Sequence, residues 1–206
     1  SCRGAVYVFT RSAGTWSQQA YVTPNTRGIG DEFAGSISLS GSGDTLAVGA
    51  RGESSNGTSE TNNDFISAGA AYVFTRDAGA WTQREFIKSS MVAPGMGFGS
   101  AVAISADGNT LVVSTPVGNG AAMRTGIVEV FVRSGDQWVW QKLLSAAQGH
   151  AEDRFGSSVA LSDDGNTLAV GAVWEDSAAT GVEGDQTNTE STKSGAAYVF
   201  VRSAGD

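Results

Sequence analysis

The residues of this chain that are able to do chemistry lie in a few polar stretches. The single histidine, His150, is close in sequence to Glu152 and Asp153, as a general base and its orienting carboxylate would be. The chain has no Ser-His-Asp order, no zinc-ligand spacing and no phosphate-binding glycine loop. A lone histidine among carboxylates is more often a surface residue than a base, so the sequence predicts that the protein is not an enzyme.

A second group of such residues is the acidic stretch 173–194. It contains Asp176, Glu183 and Asp185, together with the amide oxygen of Gln186. Ca²⁺ takes about six to eight oxygen ligands on a loop that can wrap it. The stretch is therefore a candidate calcium site, and the alternatives are a solvated loop or a contact surface for a neighbouring domain.

Composition disfavours several classes of partner. The 206 residues carry a formal charge of −8, and the Lys and Arg residues are scattered singly. Without a basic stripe or a basic amphipathic helix, the chain is poorly suited to nucleic acid or to an anionic membrane surface. No apolar run reaches the ~18 residues of a transmembrane helix. The single cysteine, Cys2, excludes an intrachain disulfide.

A repeated strand pattern must position these polar stretches. A Tyr-Val-Phe strand followed by an Arg and a glycine turn occurs four times, with Glu129 in place of the Tyr in the third copy. The last Phe of each copy is at 9, 74, 131 and 200, so the periods are 65, 57 and 69 residues. Strand-like repeats of this length indicate stacked β units that bury one another's faces.

Each repeat is predicted to contain four strands, which we name A to D. In the second copy, period-2 alternation and short apolar runs place them at 33–39, 45–50, 70–75 and 81–87. The corresponding strands fall at 98–104, 110–114, 127–131 and 138–144 in the third copy, and at 155–161, 167–171 and 196–200 in the fourth. Asp-Gly pairs at 107–108 and 164–165 indicate tight A–B hairpins.

The predicted fold is all-β, made of β-propeller blades of four antiparallel strands, because tandem sheets that cover each other's faces close most readily into a propeller. Residues 1–206 form one propeller segment with blades at 31–88 and 96–145, a partial blade of strands C and D at 1–30, and a partial blade of strands A to C at 153–206. The tryptophan that opens each D strand is expected to pack between blades. About three blades cannot close a ring, so we expect further blades from a longer chain or from partner copies.

The strand motifs resemble the FG-GAP repeat, the blade unit of the integrin α-subunit N-terminal propeller and of many bacterial surface and secreted proteins. The resemblance lies in Phe98-Gly99 and Phe155-Gly156 at the start of strand A, and in Gly49-Ala50 and Gly171-Ala172 at the end of strand B. It covers essentially the whole chain and looks like the bacterial branch. The first motif departs from the pattern as Phe33-Ala34.

The resemblance implies a secreted or cell-surface protein, of bacterial type, that binds ligands or mediates adhesion. It also implies calcium loops between strands A and B, but these turns are reduced here to 105–109 and 162–166. Two carboxylates on a tight hairpin supply too few ligands for calcium. We therefore do not assign the family's metal site to these turns.

Binding is expected on the face where the B–C and D–A loops emerge, because variable loops on a rigid scaffold commonly carry function. The long B–C loops are 51–68 and 173–194, and the D–A loops 24–32, 89–97 and 146–154 accompany them. The candidate binding residues all belong to the two long loops: Arg51, Glu53, Asp64, Phe65, Trp174, Glu175, Asp176 and Asp185.

The leading hypothesis is an extracellular ligand-binding or adhesion module whose loop face recognises a protein or a glycan. The alternatives are a structural scaffold or self-assembling subunit and, more distantly, a glycan-active enzyme that uses loop carboxylates. The two long loops offer Phe65 and Trp174 as their aromatic residues. This scarcity disfavours carbohydrate binding, which relies on aromatic platforms.

Overall fold

The structure, a computed structural model, describes residues 4–120 and 122–203. Cys2 lies outside the described residues. The described chain contains 13 β-strands and no helix. The strands are β1 (Val6–Ser12), β2 (Thr15–Val22), β3 (Phe33–Leu39), β4 (Thr45–Ala50), β5 (Ala70–Asp77), β6 (Ala80–Ile87), β7 (Val102–Ile104), β8 (Thr110–Thr115), β9 (Ile127–Ser134), β10 (Gln137–Leu144), β11 (Phe155–Leu161), β12 (Thr167–Ala172) and β13 (Ala196–Val201).

The strands form four antiparallel sheets, with the orders β1-β2, β3-β4-β5-β6, β7-β8-β9-β10 and β11-β12-β13. Strands that follow one another in the chain are neighbours in every sheet, which confirms the predicted meander of four-stranded propeller blades. We call the sheets blades one to four. Most predicted strands agree with the structure within a few residues, because apolar alternation and glycine turns are local signals.

One predicted strand is much shorter than expected. Strand A of blade three was predicted at 98–104, but β7 spans Val102–Ile104. Gly99 has a φ of 89°. The Ala101 N–H donates to the side-chain hydroxyl of Ser114 at 2.9 Å rather than to a backbone carbonyl of β8, so the regular pairing begins at Val102. Phe98 instead makes a parallel bridge with Gly69 of blade two. In blade two the corresponding motif is Phe33-Ala34, and Ala34 adopts the same left-handed backbone with a φ of 70°.

The core lies between the blades. Val6 and Val8 of blade one are buried in one apolar cluster with Phe33, Val48 and Phe74 of blade two. Equivalent clusters join blade two to blade three and blade three to blade four. Each interior sheet is therefore covered on both faces, as the repeat predicted.

Backbone hydrogen bonds also link successive blades. The A–B turns form a chain in which the Gly41 N–H donates to the Ala106 carbonyl and the Ala106 N–H donates to the Asp163 carbonyl, each at 2.9 Å. Within these turns Gly108 and Gly165 have φ values of 71° and 70°, as the predicted hairpins require. Hydrogen bonds from the Ser105 hydroxyl and from Asn109 lower the pKa of Asp107.

The tryptophans that open the D strands occupy the crevices between blades. Trp81 packs against the cluster of blades one and two, and Trp138 packs against that of blades two and three. The predicted packing role is confirmed for these two. Trp16 is 64% exposed, and no blade precedes blade one among the described residues.

Candidate functional site: the loop face

The B–C and D–A loops interlock on one face of the blades. The Gly52 N–H of a B–C loop donates to the Asp31 carbonyl of the preceding D–A loop at 3.0 Å. Trp174 makes the same bond to the carbonyl of Asp153 at 3.1 Å. The Gly95 N–H donates to the Ile66 carbonyl at 2.8 Å, and the Glu152 N–H donates to the Met123 carbonyl in the short B–C loop of blade three, 117–125, at 3.2 Å. We call the surface formed by these six loops the loop face: 24–32, 51–68, 89–97, 117–125, 146–154 and 173–194.

Glu53 holds loop 51–68 from within. Its side chain is buried, its Oε1 accepts the Ser55 N–H at 2.9 Å, and its Oε2 lies 2.5 Å from Lys88 Nζ. Burial lowers the pKa of Lys88, while the hydrogen bond and charge of Glu53 act in the opposite direction. The structure places this predicted binding residue inside the protein, where its carboxylate bonds to Ser55 and Lys88.

Glu175 has the same role in loop 173–194. It is buried, and its two carboxylate oxygens accept the N–H and the hydroxyl of Ser177 at 3.1 and 2.9 Å. This predicted binding residue therefore also lies inside the protein. The sequence contained a signal for this shared structural role, because Glu53 and Glu175 each follow a Gly-Ala strand end at the same spacing.

Three other candidates in loop 51–68 lie at or near the surface. Arg51 is exposed and forms an ion pair with Glu32. Asp64 is exposed, and its Oδ2 accepts a hydrogen bond from the Asn56 amide at 2.8 Å. Phe65 is half-buried. Polar contacts within the protein thus order the surface of this loop without a bound ligand.

The predicted cation ligands of loop 173–194 do not converge. Asp176 Oδ1 accepts the Lys193 N–H at 2.6 Å, and Asp185 Oδ1 accepts the N–H and hydroxyl of Thr187. The bonds from Thr187 lower the pKa of Asp185. Among the described residues no three His, Cys, Asp or Glu side chains are grouped to hold a metal ion. Asp176, Glu183 and Asp185 are therefore not brought together as a site.

Trp174 is covered by two cationic side chains. The guanidinium carbon of Arg154 lies 3.3 Å, and Lys193 Nζ lies 4.3 Å, from a ring centroid of Trp174. Such contacts use the electron-rich ring face. The indole of Trp174 therefore packs against side chains of the protein itself. It does not offer an open ring face on which a sugar could stack.

His150 and Asp153 meet through the backbone. The His150 N–H donates to Asp153 Oδ2 at 2.6 Å, and Asp153 is 1% exposed. His150 Nδ1 and Asp153 Oδ1 are buried without a hydrogen-bond partner. Burial raises the pKa of Asp153, although its bond to His150 acts in the opposite direction.

Replacing Asp153 by asparagine is expected to remove a pH-dependent loss of stability. An aspartate whose pKa is raised in the folded state destabilises that state as the pH rises through and above the ordinary aspartate range. Asparagine keeps an acceptor for the His150 N–H and never ionises. Urea unfolding at pH 4 and pH 7 measures this effect. The free energy of unfolding of Asp153→Asn, relative to that of the wild type, should be higher at pH 7 than at pH 4. An equal difference at both pH values would contradict this.

The apolar side chains of the loop face were not predicted from the sequence. Among the described residues, the exposed large hydrophobic side chains that lie outside strands all belong to these loops: Ile29, Ile66, Met91, Met123, Val173 and Val182. Ile66 and Val182 are 72% and 94% exposed. The sequence signal that could have predicted them is the occurrence of single apolar residues within polar loops. Exposed apolar groups that share one face are typical of interaction surfaces.

The repeat motifs match a known profile. The FG-GAP repeat profile matches residues 16–74 and 138–200, which is more than half of the chain. The chain belongs to the FG-GAP repeat family. Its blades therefore follow the family pattern, and the loops described above are the loops of an FG-GAP propeller segment. A search of curated proteins finds no significant match.

Solved structures share the propeller fold at low sequence identity. A putative 6-phosphogluconolactonase from Bacteroides uniformis is 13% identical with a TM-score of 0.51, covering 82% of this chain and 40% of that one. The periplasmic gluconolactonase PpgL of Pseudomonas aeruginosa is 18% identical with a TM-score of 0.50, covering 84% and 44%. The FG-GAP chain thus spans less than half the length of these structures.

These neighbours contradict the prediction of a non-enzyme. That prediction rested on the lone histidine and on the absence of known catalytic motifs, whereas one protein of this fold is named as a gluconolactonase and another as a putative 6-phosphogluconolactonase. The likeness at this identity concerns the fold. In the part of the chain that the structure describes, no helix is long and apolar enough to cross a membrane.

Proposed function

We propose that this FG-GAP segment is a ligand-binding module of a secreted or cell-surface protein, and that its loop face binds a protein. The observation that carries the proposal is the set of exposed aliphatic and Met side chains, which occur in five of the six loops of this face. By contrast, the A–B and C–D turns at the opposite end contribute none among the described residues.

The chemistry of the loop face favours a protein ligand over a glycan. Protein interfaces combine apolar anchors with a polar rim. Loop 173–194 supplies polar groups for such a rim, since Glu183, Asp185 and Glu190 are exposed in the same loop as Val182. Trp174 is already engaged by Arg154 and Lys193, so the aromatic stacking that sugars prefer is not offered there.

The rigid base of the loops also supports binding. Buried Glu53 and Glu175 fix the start of both long loops, and a loop ordered before binding loses less entropy in the complex. The extracellular location is supported by the family, whose members are typically extracellular.

The proposal is tested with paired surface variants on protein and glycan arrays. Ile66→Asp combined with Met123→Asp should weaken binding to array proteins by at least about tenfold, because charged residues at an apolar anchor oppose burial. The control is Val139→Asp, which alters an exposed valine on strand β10 away from the loops. Retained binding in the loop variant, or hits confined to glycans, would contradict a protein-binding loop face.

A further inference from the structure

A groove of about 620 Å³ opens between blades two and three, at the end where the A–B and C–D turns lie. Three arginine side chains line it: Arg76 and Arg84 come from blade two and Arg133 comes from blade three. Trp138 of β10 and the buried Val73 of β5 line the same groove. The groove therefore collects three of the 13 Lys and Arg residues of a chain whose formal charge is −8.

Two carboxylates in the groove offset part of this positive charge. Asp44 accepts a hydrogen bond from Arg76 Nε at 2.8 Å. Asp136 lies 3.8 Å from a terminal nitrogen of Arg133, and its side chain is fully exposed. Exposed ion pairs of this kind contribute little, because solvent screens them. Of the three arginines, Arg84 is the one that forms no ion pair among the described residues.

Arg84 takes the place of a glutamine that bridges the preceding pair of blades. It is the unpaired residue of a β-bulge in β6, as Gln19 is in β2. A bulge re-aims the side chain of its extra residue. Between blades one and two, Gln19 accepts the Trp81 Nε1–H at 3.0 Å and donates to the Gly79 carbonyl at 3.0 Å. These two hydrogen bonds join blade one to blade two.

The equivalent bridge is not made between blades two and three. Trp138 opens its D strand as Trp81 does, but a guanidinium has no acceptor for an indole N–H. No hydrogen bond from the Trp138 indole occurs among the described residues. Arg84 is exposed, and its Nε donates to Thr75 Oγ1 of its own blade at 2.8 Å. The groups that Arg84 and Trp138 bring to this groove are therefore hydrogen-bond donors without an acceptor in the opposite blade.

We propose that this groove binds the oxyanion group of a small ligand, a carboxylate, a phosphate or a sulfate, whose body lies against Trp138. Arg84 and Arg133 supply donors from the two blades, because a guanidinium presents N–H groups in a planar fork that fits the oxygens of such an anion. The half-buried indole of Trp138 adds an apolar surface and one further N–H donor. This anion site is separate from the loop face.

The test is calorimetry on the whole chain with phenyl phosphate, phenyl sulfate and benzoate as probes. Phenol, which has the same ring and no charge, is the control. We expect saturable binding of one anionic probe or more, with no binding of phenol at the same concentrations. The affinity should fall as the salt concentration rises, because the arginines lie in an open groove where ions screen their charge. The order of affinities identifies which oxyanion the groove prefers.

Arg84→Gln is the decisive variant. It places at the bulge of β6 the residue type that the bulges of β2 and β10 already carry, so we expect it to fold as the wild type does. Its affinity for the bound probe should be at least about tenfold lower, because the guanidinium fork is lost. Arg84→Lys keeps the charge without the fork and should lose less. Arg11→Gln removes the same charge at an exposed position of blade one, outside the groove, and should bind as the wild type does.

Three results would overturn the proposal. The first is the absence of saturable binding for all three anionic probes. The second is an equal loss of affinity in Arg84→Gln and Arg11→Gln, or no loss in either, because the anion would then not be held by the groove. The third is binding of phenol as tight as that of the anionic probes, since the ring alone would then account for the affinity.

Discussion

Gly126→Ala is expected to destabilise the protein by about 3 kcal/mol or more, because it combines left-handed backbone strain with a clash against fixed backbone. Gly126 has a φ of 90°. A Cβ added there would lie 2.0 Å from the carbonyl oxygen of Phe155 in the next blade. The adjacent Thr125 carbonyl accepts the Phe155 N–H at 2.7 Å, so the two backbones cannot separate without losing this bond.

Gly195→Ala is the matched control for Gly126→Ala. Gly195 precedes the same strand of blade four and has a φ of 78°, but its added Cβ would meet nothing closer than 3.4 Å. Only the backbone strain remains, so we expect a loss of about 1–2 kcal/mol. Urea unfolding followed by tryptophan fluorescence measures both variants. Equal losses would show that contact between blades at Gly126 does not determine the stability of the array.

The second large effect concerns Glu129, which replaces the tyrosine of the other repeats. Glu129 is fully buried and accepts hydrogen bonds from the Ser89 hydroxyl at 2.5 Å, the Ser90 N–H at 3.0 Å and the Trp140 Nε1–H at 2.8 Å. The carboxylate therefore joins strands C and D of blade three to the D–A loop 89–97. That loop carries Met91, one of the exposed side chains of the loop face.

Glu129→Ala is expected to lower the free energy of unfolding by about 2–4 kcal/mol, since it leaves a cavity and removes the acceptor of three donors. Glu129→Gln keeps the shape and one carbonyl acceptor, so its loss should be about half as large. Hydrogen exchange should also accelerate at the amides of Ser90 and Met91. Glu190→Ala, at an exposed acidic residue, is the control for the change in charge.

A loss confined to global stability, with unchanged exchange at Ser90 and Met91, would contradict the positioning role of Glu129. It would also weaken the view that the loop face is ordered by buried carboxylates. Glu53, Glu129 and Glu175 share this role, and each accepts a backbone N–H from a loop. Their removal should therefore affect loop order more than replacement of exposed acids such as Asp64.

The partners of the buried acids could not be predicted from the sequence. An acidic residue in a polar loop has the same local signature whether its side chain faces solvent or the interior. Glu53 and Glu175 differ from Asp64 and Asp185 in what the rest of the fold places around them. The lysine that pairs with Glu53 is 35 residues away in the chain. Repeat alignment was the one sequence signal that could have separated these groups.

The sequence by itself determined the repeat, the four-strand meander and the turns, because alternation, Gly-containing turns and strand length act over a few neighbouring residues. Tertiary structure alone decided which residues of different repeats contact one another. The bridge of Phe98 to blade two and the contact of Trp174 with Arg154 both depend on residues from different loops or blades. His150, the single histidine of the chain, illustrates the difference. The sequence placed it beside Asp153, and the fold joined the two through the His150 backbone N–H and buried the carboxylate.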